Sequence, residues 1–278
     1  MFTLNCKGRL LLIDRPVVMG IINATPDSFY SGSRQQSVDG ALQKAETMLG
    51  EGATLLDIGG QSTRPGSALL NEEEELKRVL PAVEAIHLQF PDCFISIDTY
   101  YSKVAREALA HGASLVNDIS GGSFDAAMAA TVASLQVPYI CMHVKGTVET
   151  MHENPAYDNI TQEVLDYFIR KITVFSDAGI SDIIIDPGFG FSKNSAHNFE
   201  LLKTLEVFQQ LKRPLLLGIS RKSTIYKTLG ITAEEALNGS TVLHTVGLLK
   251  GASILRVHDV KEAMEAVILT QHLRPGQK

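Results

Sequence analysis

Eight short runs of aliphatic and β-branched residues recur along the chain, each ending in a polar or charged residue and each followed by a stretch with helical spacing. They are VVMGIIN (Val17 to Asn23), TLLDIGG (Thr54 to Gly60), FISIDT (Phe94 to Thr99), SLVNDIS (Ser114 to Ser120), PYICMH (Pro138 to His143), DIIIDPG (Asp182 to Gly188), PLLLGIS (Pro214 to Ser220) and ILRVHD (Ile254 to Asp259). A continuous apolar run marks a strand buried on both faces, and regular alternation with helices makes such strands parallel. The pattern predicts an α/β fold of one domain over 1–278, a TIM (β/α)8 barrel, for which about 250 residues is the usual size. Strand ends of that barrel meet at one mouth. Asn23, Asp57, Asp98, Asn117, His143, Asp186, Lys222, Arg256 and His258 are therefore expected to converge there.

Ahead of the first run, residues 2–13 alternate in a way that suits a short β-hairpin turning at Lys7-Gly8, placed across the barrel bottom as a plug. Helical periodicity covers about 38–51, 72–90, 102–112, 125–135, 158–179, 197–212, 222–250 with a break near Gly230, and 259–273. Ser37 or Asp39, Asn71, Ser102 and Thr232 are the predicted helix caps, and Glu72 to Glu75 read as a helix start with a solvated acidic face. Two connections at the catalytic end, 24–37 and 61–71, are too long for simple links and carry Phe29, Tyr30 and Arg64, which suits mobile lids.

Composition narrows the class. A net charge of −6 without a Lys/Arg cluster argues against nucleic acid as a partner. No apolar stretch approaches a membrane span, and the N-terminus lacks the flanks of a signal peptide, so a cytoplasmic location with no membrane partner is expected. Three cysteines without metal-ligand spacing read as reduced, structural thiols.

The candidate chemistry divides into two arcs. Asp186, in DPGFGFSK, can accept a pair of parallel N–H groups from a guanidine-type heterocycle, or can partner a neighbouring lysine. Asp98 and Asn117, one strand apart at one height, offer acceptor and donor edges for a flat polar ring. On the opposite arc Arg64, Arg256, His258 and Asn23 supply donors, with Asn23 also a metal ligand through its carbonyl. An Arg fork suits phosphate oxygens. The anion role makes Arg256 separable from ring binding. SRKST (Ser220 to Thr224) begins a helix, so its N–H groups and Ser223 can hold an anion while Lys222 reaches inward. His143 and Cys141 share a strand face, and core packing explains them better than a metal does.

Taken together, MGIINATPDSF, DIGGQSTRPG, SIDT, VNDISGG, MHVKGT, DPGFGFSK, GISRKS and RVHD resemble the ordered motifs of the dihydropteroate synthase family, from about Met19 to Val260. The resemblance implies condensation of 6-hydroxymethyl-7,8-dihydropterin diphosphate with 4-aminobenzoate, with release of diphosphate and with Mg2+ as cofactor. It also implies roles: Asp98, Asn117, Asp186 and Lys222 hold the pterin, while Asn23, Arg64, Arg256 and His258 hold diphosphate and metal. Thr63, Pro65, Phe191 and Ser223 line the aminobenzoate slot, with Phe29 on the closing loop, and a homodimer forms through the late helices. Ser192 and Val148 depart from the family's usual glycine and proline. The competing readings are a pterin-binding corrinoid methyltransferase, which needs no anion arc, and a pterin-binding module without turnover, which needs no lids.

Overall fold

In the computed structural model, the structure describes residues 1–24, 34–61, 69–147, 150 and 156–273. Strands β1 (Phe2–Cys6) and β2 (Arg9–Ile13) pair antiparallel. Lys7 and Gly8 join them with φ of 55° and 85°, the left-handed pair that a two-residue hairpin needs. Leu4, Cys6, Leu11 and Ile13 face one way and bury against Val17, Met19, Leu55, Leu115, Ile140, Ile184, Leu216 and Ile254. Those partners lie low on the barrel strands, so the hairpin is the bottom plug. Polar ties complete the seal, with Lys7 Nζ on the Leu109 carbonyl at 2.6 Å and the Asn5 N–H on Asp182 at 2.6 Å.

Eight parallel strands form the barrel: β3 (Val17–Asn23), β4 (Leu55–Gly59), β5 (Phe94–Asp98), β6 (Leu115–Asp118), β7 (Tyr139–Met142), β8 (Ile183–Asp186), β9 (Leu216–Leu217) and β10 (Ile254–Val257). Their order is β8-β7-β6-β5-β4-β3-β10-β9, and a parallel bridge from Ile185 to Leu215 closes the ring. Only two residues of the run Pro214 to Ser220 join the ladder. Pro214 has no N–H to give, although its carbonyl accepts from Ile185 at 3.0 Å. Side chains alternate between the barrel interior and the helix layer, so Val18, Ile22, Leu56, Ile58, Ile95, Ile97 and Val116 form the outer core with the helices.

The helices are α1 (Arg34–Gly50), α2 (Glu72–Gln89), α3 (Ser102–Ala110), α4 (Met128–Leu135), α5 (Ile160–Asp177), α6 (Ser195–Lys203), α7 (Ser223–Leu229), α8 (Leu237–Leu249) and α9 (Val260–Gln271). Asn71 caps α2 as expected, in a capping box with Glu74. Other predicted caps are corrected. Ser37 and Asp39 lie inside α1, Tyr101 rather than Ser102 precedes α3, and α8 begins well past Thr232. Asp125 accepts the Ser102 N–H at 2.7 Å from a distant segment, and Glu235 accepts the Thr232 N–H at 2.9 Å within a local turn. The expected helix over 197–212 breaks at Thr204, whose hydroxyl bonds back to the Glu200 carbonyl at 2.8 Å, and continues as a 3-10 helix over Leu205–Leu211. All three cysteines are free and buried, and burial pushes each thiol up to about 12.

Candidate active site

The strand register levels the mouth. Asn23 pairs with Gly59, Gly59 with Asp98 and Asp98 with Asn117, so four successive strands end at one height. Asp186 stands level with Met142 on β7. Below this rim the interior parity brings up Asp57, fully buried, and Arg256. The Arg256 guanidinium gives Nε to Asp57 Oδ2 and Nη2 to Asp98 Oδ2, both at 2.6 Å. Asn117 Nδ2 donates to that same Asp57 oxygen at 2.9 Å. A cross-braced floor results.

Two contacts add to the expected picture. Arg256 is not set apart from the ring-reading side, since its fork is held by Asp57 and Asp98. Asn117 commits an amide N–H to Asp57, a contact that its reading as a ring-facing edge does not include. Asp57 was visible in the run TLLDIGG yet had no role assigned. Its signal was parity, since Leu55, Asp57 and Gly59 all face inward.

Burial raises the Asp98 carboxyl to about 7, with Arg256 opposing and Asp57 adding to the rise. Burial likewise raises Asp186, while Lys222 and the Gly188 N–H, which Asp186 accepts at 2.8 Å, pull it back. Lys222 is lowered to about 8 by its own burial, Asp186 resisting. Its ammonium donates to the Phe189 carbonyl and lies 4.6 Å above the Phe191 ring. Gly218 sits between the two groups: a Cβ there would lie 3.6 Å from Asp186 Oδ2 and 3.9 Å from Lys222 Nζ. Phe191 belongs to a small apolar cluster with Tyr100, Ile119, Met142 and Val144, so a charged floor adjoins a flat apolar wall.

Around that floor, Ser223 opens α7 half-buried and His258 is exposed just past β10, its N–H donating to Ser220 Oγ at 3.2 Å. Arg221 of the same SRKST segment is turned away and forks onto Asp259, both bonds at 2.8 Å. Phe29, Thr63, Arg64 and Pro65 lie outside the described residues, as does Val148. His143 does not join the mouth. It is buried in the wall, where Lys193 Nζ donates to its Nδ1 at 2.9 Å, and burial first, then Lys193, holds the imidazole neutral. Lys193 was read only as part of a motif.

Ser192 takes φ of 46°, which explains the glycine usual there. Its hydroxyl accepts the Lys145 N–H at 2.8 Å, offsetting the strain. Ser192→Gly should therefore shift unfolding stability by less than about 1 kcal/mol in a urea titration.

Among the described residues no three His, Cys, Asp or Glu side chains gather to hold a metal ion. Asn23 offers one neutral oxygen at the rim, and the carboxylates Asp57 and Asp98 are taken by Arg256. This donor set suits a hard cation that keeps its waters and arrives with substrate phosphate oxygens.

The family model described as "Pterin binding enzyme" matches residues 19–258. The dihydropteroate synthase of Escherichia coli (strain K12) is 44% identical over 263 residues, covering 94% of this chain and 93% of the relative. The chain belongs to the dihydropteroate synthase family. Among solved structures, Xanthomonas albilineans dihydropteroate synthase with 4-aminobenzoic acid superposes with a TM-score of 0.92 at 39% identity, covering 99% of each chain. The same organism's enzyme in complex with 7,8-dihydropteroate gives 0.89 at 36% identity, over 99% of this chain and 100% of that one.

Proposed function

We infer that the chain is a transferase that joins 6-hydroxymethyl-7,8-dihydropterin diphosphate to 4-aminobenzoate and releases diphosphate. One observation carries the reading: Arg256, Asp57, Asp98 and Asn117 brace one another at the floor of a mouth that also holds Asp186 and Lys222. The relatives seen with 4-aminobenzoic acid and with 7,8-dihydropteroate support both substrates.

In this reading Asp186, Asp98, Asn117 and Lys222 orient the pterin, with Asp186 as the acceptor for its N–H pair. Asn23, Arg64, Arg256 and His258 would face the diphosphate, and Asn23 would supply the protein's oxygen to Mg2+. That ion would neutralise leaving-group charge. The C–O bond of the pterin methylene breaks with its electron pair leaving on diphosphate, and the cation is delocalised over the ring. The aminobenzoate nitrogen then forms the C–N bond and loses a proton to the departing anion or water. Thr63, Pro65, Phe191 and Ser223, with Phe29, line the slot for the incoming amine. Closure of the segments between β3 and α1 and between β4 and α2 would exclude water that captures the cation.

Among the described residues no helix is long and apolar enough to cross a membrane, and we place the activity in the cytoplasm. Exposed Val242, Leu249, Ile268 and Leu269 on α8 and α9 support a homodimer through these late helices.

The deciding assay is formation of 7,8-dihydropteroate and diphosphate from the two substrates by the purified chain. Absence of product, with pterin still bound, would point to a binding module instead. Asp186→Asn should weaken 6-hydroxymethylpterin binding by about 2–5 kcal/mol in a calorimetric titration, and unchanged affinity would remove Asp186 from the site.

A further inference from the structure

Glu75 departs from the solvated acidic face expected of its helix turn. Glu73 and Glu74 are exposed, whereas Glu75 is 0% exposed and its carboxyl oxygens have no close hydrogen-bond partner among the described residues, only a weak approach by the Thr99 hydroxyl. An orphaned buried carboxyl is costly, so its place in the fold matters.

That place is the back of the active-site wall. Gly59 ends β4 and Gly60 follows it, the two turned to opposite faces. A Cβ on Gly59 would come within 3.3 Å of the Asp98 Cβ, while one on Gly60 would come within 3.1 Å of the Glu75 Cγ. Two glycines thus form a thin partition with Asp98 on one side and Glu75 on the other. The other groups facing Glu75 are the Thr99 hydroxyl at the end of β5 and Arg78 on α2 itself, whose guanidinium is committed to the Gly60 carbonyl at 3.3 Å. Burial raises the Glu75 carboxyl to about 8, Thr99 opposing, Asp98 adding and Arg78 opposing.

We propose that Glu75 is a positioning residue for pterin binding, a neutral acid behind Asp98 whose proton keeps a second negative charge out of the wall. The proposal rests on the assignment of Asp98 to the pterin. When Glu75 ionises, its charge faces Asp98 through the partition and raises that group's proton affinity, which loosens Asp98 from Arg256. An ionised Glu75 also needs water, which its closed position against Gly60 denies it.

The test compares wild type with Glu75→Gln, an isostere that never ionises, in buffers from pH 4.5 to 9. Binding of 6-hydroxymethylpterin is read by fluorescence titration and stability by thermal melts. At pH 6.5 the two affinities should agree within about threefold. Between pH 8 and 9 wild type should lose about tenfold more affinity than the variant, the slope of one linked proton. Lys222 is present in both, so its titration cancels. An acid held above its unfolded value contributes stability that is full below that value, near 4.5, and is lost as pH rises through about 8. The variant should therefore melt with wild type at pH 4.5 and above it at pH 8. Equal melts at pH 8, parallel alkaline losses, or a folded variant that fails to bind at pH 6.5 would each overturn the role of Glu75. If wild type binds no pterin at any pH, the reading of the site fails, whatever the melts show.

Discussion

Arg256→Gln should lose pterin binding and a large part of the folding free energy together. The guanidinium holds Asp57 and Asp98 at 2.6 Å each, and Asp57 has no exposure through which water could replace it. Removing one partner of such a buried cluster typically costs about 3–5 kcal/mol, because uncompensated charge stays behind. Asn117 would remain on Asp57, but one amide cannot balance two carboxylates. The deficit should depend on pH. Burial already pushes the Asp98 carboxyl up to about 7, and Arg256 is what keeps that value from rising further. For an acid raised above its unfolded value, stability is present at low pH and lost as pH rises through the folded value. Without Arg256 the loss continues to higher pH, so the Asp98 share of the deficit should be small near pH 4 and grow above pH 7 in urea titrations. A cycle with Asp57→Asn checks the cause. The double variant should recover part of the lost stability, whereas strict additivity would mean that the two groups do not act as a pair. An Arg256 variant that keeps free-pterin affinity would restore the separable anion role that the sequence alone suggests.

The fate of Arg256 shows how far the sequence could be read. All eight apolar runs became strands, and the strand-end residues Asn23, Asp98, Asn117 and Asp186 reached the mouth, because burial on both faces and a two-residue alternation are local properties. Which side chain meets which across the barrel is not local. Arg256 and Asp57 are 199 positions apart, and only closure of the ring brings them together. RVHD therefore read as an Arg/His anion pair, without the two carboxylates that hold its Arg. Glu75 failed for a related reason. Four glutamates at a helix start look alike by propensity and dipole, yet one of them points at Gly60, where the absence of a side chain makes the space that swallows it. The hairpin, by contrast, was legible in full, since a Lys-Gly turn and alternating residues fix both its shape and its buried face.

The second large effect is expected at Lys193, which no periodicity marks. Its ammonium is enclosed and donates to His143 Nδ1 at 2.9 Å and to the carbonyls of Phe191, Gly188 and His143 at 3.0, 3.1 and 3.3 Å. These acceptors come from the end of β7 and the loop after β8, so one cation fastens two neighbouring strand exits. Gly188 is pressed so close to β7 that a Cβ would meet the His143 carbonyl at 2.1 Å. Burial lowers the Lys193 pKa, and Asp186 is the charge that opposes the fall. Lys193→Met keeps the stem and removes every donor. Each carbonyl left buried without a donor costs about 1–3 kcal/mol, less where the loop can relax toward water, so a loss of about 3–5 kcal/mol is expected from urea unfolding. Binding should suffer beyond the stability loss, because the freed loop carries the Phe189 carbonyl that holds Lys222 and the Phe191 ring beneath that ammonium. At a temperature where the variant is still folded, its affinity for 4-aminobenzoate should fall at least tenfold. Retained affinity in a folded variant would show that the loop holds its shape without the internal cation, and that Phe191 is positioned by its apolar neighbours alone.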